Sequence, residues 1–215
     1  MPLFTTDALI LRTYTLGESD RIVVFLTRDR GKKRGVAKNA RQSRRRFGGA
    51  LEPMTCGRVT YRERERQDLV FVQDIAPVQS PLRIPAHGGD ALGHVGYFAE
   101  LIDEWAPEND PNETLYRLGA SVVDALAAGV AVEPLARYFE YWLLRLQGVY
   151  DPDSAVSAAA RAFLDAARTS SPLGLSDVVV SPAVLRELEA SHRTMIAMHL
   201  EKDLKSARVL REMRR

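Results

Sequence analysis

The sequence predicts an α+β chain in which a small closed β-barrel is followed by a bundle of helices. Three observations point there. The apolar period is that of strands up to about residue 80 and of helices beyond it, the turn and cap residues change character at the same place, and the charge changes sign with them. Residues 1–80 carry 16 basic and 9 acidic side chains, a net +7, whereas 81–215 carry 14 and 19, a net −5. With 215 residues, 46% of them apolar and 27% charged, the chain is long enough to bury a sizeable core in one large or two small domains.

In the first part, ALILRTYT, RIVVFLT, the GVAK piece around Val36, GRVTYRER and DLVFVQDI are short runs rich in β-branched residues, separated by Gly, Asp and charged clusters. Five strands within about 75 residues suit a small Greek-key barrel, whose closure removes the exposed edges of an open sheet. The size is that of an OB-fold, and an SH3-like barrel would read much the same.

From about Pro81 the apolar positions recur at three- and four-residue steps. Leu92, Val95, Phe98, Ala99, Ile102 and Trp105 form one helix face, Leu115, Leu118, Val122, Ala125 and Leu126 another, and Leu135, Tyr138, Phe139, Trp142 and Leu146 a third. Leu185, Leu188, His192, Met195, Ile196 and His199 form a fourth, a packing face rather than a cofactor site. Asp110 with Pro111 and Glu113 reads as a helix start, as does Ser181 with Pro182, and Gly129 and Gly148 as left-handed stops. The proline-marked stretch from Pro77 to Pro85 divides the chain into an expected barrel domain, 1–80, and a helical domain, 81–215.

Several function classes find no support. No stretch approaches the roughly 18 to 20 apolar residues that span a bilayer, and MPLFTTDALILRTYT has neither a basic leader nor a small-residue cleavage site, so no membrane partner and a cytoplasmic location are expected. The single cysteine, Cys56, excludes an intrachain disulfide and reads as a small buried hydrophobe. The histidines show no ligand spacing: His192 and His199 are about 10.5 Å apart along a helix at 1.5 Å per residue. Neither a Walker-type glycine loop nor a GxSxG elbow occurs, and Asp103 with Glu104, and Asp151 with Asp153, are isolated acidic pairs. The expectation is a protein that is not an enzyme and has no cofactor or metal.

The feature that carries function is a basic stretch. Between Arg28 and Arg46 ten basic residues face one acid, Asp29, a local +9 in a chain whose total is +2. Such a block is either a solvated loop or a site for a polyanion, of which nucleic-acid phosphate is the commonest. Arg30, Lys32, Lys33, Arg34, Lys38, Arg41, Arg44, Arg45 and Arg46 are the candidate phosphate ligands, interleaved with glycines that permit tight turns and close backbone approach. Phe47 is either a stacking platform for a base or an anchor of the loop in the core. In GRVTYRERERQ, strand alternation places Arg62, Arg64 and Arg66 on one face, a track for a phosphodiester backbone or a row of Arg–Glu pairs. A second candidate surface is the aromatic helix RYFEYWLLRLQG, where Tyr138 and Trp142 flanked by Arg137 and Arg145 form either a groove for a short acidic peptide ending in an aromatic residue or the face of a doubly buried helix.

The stretch ALILRTYTLGESDRIVVFLTRDRGKKRGVAKNARQSRRRFGGALEPM resembles the start of the bacterial RecO recombination mediators, in Leu11–Thr13, Gly17–Asp20, Thr27, Gly31, Ala37–Lys38 and Leu51–Pro53; Lys205–Arg208 is similar to a step in that family's final helix. The resemblance implies an OB-fold followed by helices. It implies binding of single- and double-stranded DNA, annealing of complementary strands and, with RecR, help in loading RecA onto strands coated by single-strand-binding protein, whose C-terminal tail would take the Trp142 region. It further implies association with the nucleoid. Many members carry a four-cysteine zinc module after the aromatic helix; GVYDPDSAVSAAARAFLDAARTSSPLGL has no cysteine, so packing is expected in its place. The family's Ala-Lys-Gly is here Ala-Lys-Asn, and Asn39 tolerates the left-handed conformation. Two other readings stay open: an RNA-binding barrel, and a protein adaptor whose helical part does the work.

Overall fold

The computed structural model describes residues 1–64, 67–81, 88–151 and 156–213. Five strands, β1 (Leu3–Leu16), β2 (Asp20–Thr27), β3 (Gly31–Ala37), β4 (Cys56–Arg62) and β5 (Leu69–Gln79), close into a barrel in the order β1-β2-β3-β5-β4. All neighbours are antiparallel except β3 and β5, which pair in parallel from Arg34↔Leu69 to Ala37↔Val72. This is the five-stranded OB-fold barrel expected from the strand count.

The faces of β1 and β2 explain the unbroken apolar runs. Ala8, Ile10, Val23 and Phe25 point into the barrel with Val59, Tyr61, Val70 and Val72. Leu9, Leu11, Val24 and Leu26 point outwards and are also buried, because they join a second core built by the helices. A strand buried on both faces loses the apolar–polar alternation of a half-buried one.

That second core belongs to α2 (Gly88–Trp105), α3 (Glu113–Ala127), α4 (Val132–Leu146), α5 (Ala158–Thr169), α6 (Pro182–Leu200) and α7 (Lys205–Met213), with a short 3₁₀ helix at Pro172–Asp177; a single-turn helix, α1 (Arg44–Phe47), lies within the barrel. α3 begins at Glu113 with Asn112 as its cap, whose side chain accepts from Leu115 N–H at 3.0 Å, so the start read at Asp110 lies two residues too early. Ser181 caps α6 as expected, accepting from Val184 N–H. Gly129 and Gly148 have φ of 85° and 70°, as left-handed stops require. Leu92 is 57% exposed and His199 is also exposed, so the faces of α2 and α6 are narrower than their periodicity suggested. In the segment without cysteines, Ala160, Phe163, Leu164 and Ala167 of α5 pack into the shared core.

Charges tie the two parts together where the apolar contact ends. Arg12 of β1 lies 3.1 Å from Asp103 and 3.8 Å from Glu100, both on α2, and Lys32 of β3 lies 3.2 Å from Asp103. Burial opposes the Arg12 charge, yet Asp103, Tyr14 and Glu100 together outweigh it and hold the guanidinium above its ordinary value. Glu100 also accepts from the backbone N–H of Lys205 and Ser206 at 3.2 and 2.7 Å and from the Ser206 hydroxyl, which closes the open start of α7.

Candidate nucleic-acid interface

The basic stretch is an ordered loop rather than a free arm. After β3, Asn39 takes a left-handed turn, φ 55°, and its N–H donates to Asp20 at 2.8 Å. Arg41 donates from its backbone N–H to the Ser19 carbonyl and from its guanidinium to that of Glu18, which pins the loop to the β1–β2 turn. α1 then carries Arg44, Arg45 and Arg46, and Phe47 drops into the barrel core beside Ala40 and Ala50, with only 2% of its surface exposed. Phe47 is therefore the anchor of the loop, and the stacking role proposed for it is withdrawn: a ring buried inside the barrel cannot meet a base.

The anchor sets the direction of the arginines. Arg46 donates from Nη2 to the Lys38 carbonyl at 2.9 Å and from Nε to Ser43 Oγ at 3.0 Å, which holds the guanidinium beside the end of β3. From the other side come Arg62, at the end of β4, and Arg64 just beyond it. Together Lys38, Arg46, Arg62 and Arg64 line a shallow depression on the outer face of β3, β5 and β4, floored by Val36, Phe71 and Gln73. The Arg64 guanidinium lies 5.2 Å, and Lys38 Nζ 5.9 Å, from the centre of the Phe71 ring. Among the described residues none of these four cations makes an ion pair, so their charge is available to a ligand. Arg41, Arg44 and Arg45 stand exposed on the loop beside them. Arg66 lies outside the described residues.

The remaining candidates are engaged elsewhere. Lys32 is a correction: its ammonium donates to the Asp103 carbonyl at 2.5 Å and its side chain is 12% exposed, so it joins the barrel to α2 instead of facing solvent. Lys33 lies 2.7 Å from Glu63 with 11% of its side chain exposed, which likewise removes it from the set. Arg34 is half exposed and 3.8 Å from Glu108, and Arg30 lies over the Phe4 ring at 3.9 Å with Asp29 beside it. Each of these last two cations has an acid beside it; Arg30 precedes β3, whereas Arg34 stands in mid-strand, two residues before Val36.

The aromatic helix is a second correction. Tyr138, Tyr141, Leu143 and Leu144 of α4 are all buried, and Arg137 is an interior residue, 2.9 Å from Glu140, which also accepts from Tyr97 at 2.9 Å and lies 3.0 Å from His192. Burial opposes the Glu140 charge, but Arg137, His192 and Tyr97 more than offset it and hold the carboxyl below its ordinary range. The half-buried Trp142 donates to the Ala167 carbonyl at 3.2 Å, and Arg145 lies 5.6 Å from its ring. The four residues therefore do not form one groove: Arg137 and Tyr138 are enclosed, and Trp142 and Arg145 alone retain a surface.

Phe71 is the site residue that sequence reasoning missed. Val70 and Val72 point into the barrel, so alternation alone turns Phe71 outwards, but the run LVFV hides the alternation. Among the described residues no group of three or more His, Cys, Asp or Glu is gathered as a metal site, and no helix is long and apolar enough to cross a membrane.

Comparison with known proteins places this architecture. Residues 1–81 match the family described as recombination protein O N terminal, and residues 86–173 that described as recombination protein O C terminal. The chain is 43% identical over 143 residues to a DNA repair protein RecO of Koribacter versatilis, covering 66% of this chain and 58% of that protein. It is 41% identical over 144 residues to one of Anaeromyxobacter sp. (strain K), covering 66% and 55%. A third, from Geobacter sulfurreducens, is 38% identical over 169 residues, covering 78% and 68%. The first two matches span little more than half of those relatives' length. With a barrel matched to one family model and helices to its companion, the chain belongs to the recombination protein O (RecO) family.

Proposed function

We propose that this chain is a DNA-binding mediator of recombinational repair, and that the depression between Lys38, Arg46, Arg62 and Arg64, extended by Arg41, Arg44 and Arg45, is where it holds the phosphodiester backbone. The observation that carries the reading is the convergence of four cations without an ion pair, among the described residues, on one exposed barrel face. Backbone contacts of this kind carry no base information, so binding is independent of sequence. A cationic face screens the repulsion between two strands while base pairing supplies specificity, which accounts for annealing without a covalent step. In this reading the acidic helical part stays off DNA and serves protein partners. With RecR the chain helps place RecA on strands coated by single-strand-binding protein, and the tail of that protein is recognised near Trp142 and Arg145.

The test is fluorescence anisotropy of a labelled single-stranded oligonucleotide over a range of salt, for the unaltered chain and for Arg44→Ala/Arg45→Ala/Arg46→Ala. Contact with about five to eight phosphates gives a slope of log K against log salt near −3.5 to −5.6. The triple variant is expected to flatten it; absence of binding at low salt rejects the reading.

A further inference from the structure

We propose that Phe71 is a stacking platform for one unpaired base, so that the depression recognises a nucleotide by its base as well as its phosphate; this rests on the DNA reading above. The geometry favours it on three counts. The ring stands on the outer face of β5, partly buried but reaching the surface, where its neighbours Val70 and Val72 already supply the inward packing. It occupies the floor of the depression that the four cations line, so a strand whose phosphates reach Lys38, Arg46, Arg62 and Arg64 passes its bases over the ring. Finally, Gln73 follows on the same face, exposed, with an amide that can both donate to and accept from a base edge.

The Arg64 guanidinium over the ring does not block the platform. Arg64 is an exposed side chain whose Nε donates to Met1 Sδ at 3.2 Å, a weak acceptor that a phosphate oxygen replaces, and its contact with the ring is of the cation–π kind that a base replaces. A duplex offers the same phosphates but keeps its bases inside the stack. Phe71 therefore separates single from double strands, which the cations alone do not.

The experiment compares a labelled oligothymidylate of about 20 nucleotides with an abasic deoxyribose-phosphate strand of equal length and charge, using the full chain and Phe71→Leu. The expected result is binding roughly 5- to 140-fold tighter to the base-bearing strand, a ratio that falls towards one in Phe71→Leu while the salt slope is kept. Equal binding of the two strands by the unaltered chain, with a steep salt slope, overturns the platform and leaves the phosphate site standing. Binding of neither strand overturns both. If Phe71→Leu does not fold, Phe71→Trp reads the same contact: its emission is expected to be quenched by the base-bearing strand and not by the abasic one, and quenching by neither overturns the proposal.

Discussion

Lys32 Nζ lies 3.2 Å from Asp103 Oδ1, with the lysine side chain 12% and the aspartate 15% exposed, so a member of the most basic stretch of the chain is a strut between barrel and helices. Replacing it removes a structural contact and not a phosphate ligand. Lys32→Ala is expected to lower stability by about 1–3 kcal/mol, the usual penalty for leaving one partner of a largely buried polar pair. Urea denaturation measures that loss; the salt slope of DNA binding is expected to stay unchanged, and a flattened slope would return Lys32 to the interface.

Gly31 stands at the same junction with φ of 71°, and a Cβ there would come within 2.3 Å of the Asp110 carbonyl oxygen. Both the backbone conformation and the lack of room demand glycine. Gly31→Ala is expected to cost at least 2 kcal/mol, roughly the sum of a left-handed non-glycine residue and an overpacked contact. A midpoint of thermal unfolding within a degree or so of the unaltered chain would contradict the close approach.

Glu140 makes stability depend on acid. Its carboxyl titrates lower in the folded chain than its ordinary value of 4.5, so the folded state takes up the proton less readily than the unfolded one. The stabilisation is complete above 4.5 and is lost as the pH falls through the depressed folded value. Glu140→Gln takes the nearer carboxylate, at 2.9 Å, from the buried Arg137 and leaves it Glu189 at 3.7 Å, and is expected to cost about 3 kcal/mol. Denaturation midpoints measured from pH 7 downwards should show a shallower acid-side decline in that variant.

Cys56 packs against the helical core, and burial pushes its thiol up to about 12. Because the thiolate is the reactive form, labelling by a thiol-specific disulfide reagent at pH 8 is expected to be slow in the native chain and fast in urea. Rapid native labelling would place Cys56 at the surface.

Glu100 caps α7 through Lys205 and Ser206 while lying 3.8 Å from Arg12 of β1. Glu100→Ala is expected to cost about 0.5–2 kcal/mol and to lower amide-exchange protection across 205–213 before it affects the barrel. Equal loss of protection in β1 would show that the cap and the strand open together.

The fold was legible because the period of two and the period of 3.6 are properties of local sequence. Ser181, Gly129 and Gly148 marked helix ends because a cap hydroxyl or a positive φ is a local demand as well. What covers a strand's outer face is not local. ALIL in β1 and LVFV in β5 are runs of the same kind, yet Leu9 and Leu11 are sealed by helices while Phe71 is left partly open, and nothing within either run distinguishes the two. The same limit affected the charges. Lys32 and Lys38 sit six residues apart on one strand and its extension, and the arrival of Asp103 from residues far along the chain makes the first a strut, while the second has no ion pair among the described residues. On α4, likewise, the arginine that periodicity set at the edge of a groove lies inside, paired with Glu140 at 2.9 Å, to which α6 also brings His192.

The two-sided burial of β1 and β2 bears on how this barrel can be used. A closed barrel is ordinarily a portable unit, able to be cut out and fused to something else. Here Leu9, Leu11, Val24, Leu26 and Met54 leave the barrel to enter the helical core. A fragment ending at Ser80 would present them to water as a sticky seam, and a helical fragment would lack the same side chains as filling. Barrel and bundle are therefore expected to express and to transplant as a pair.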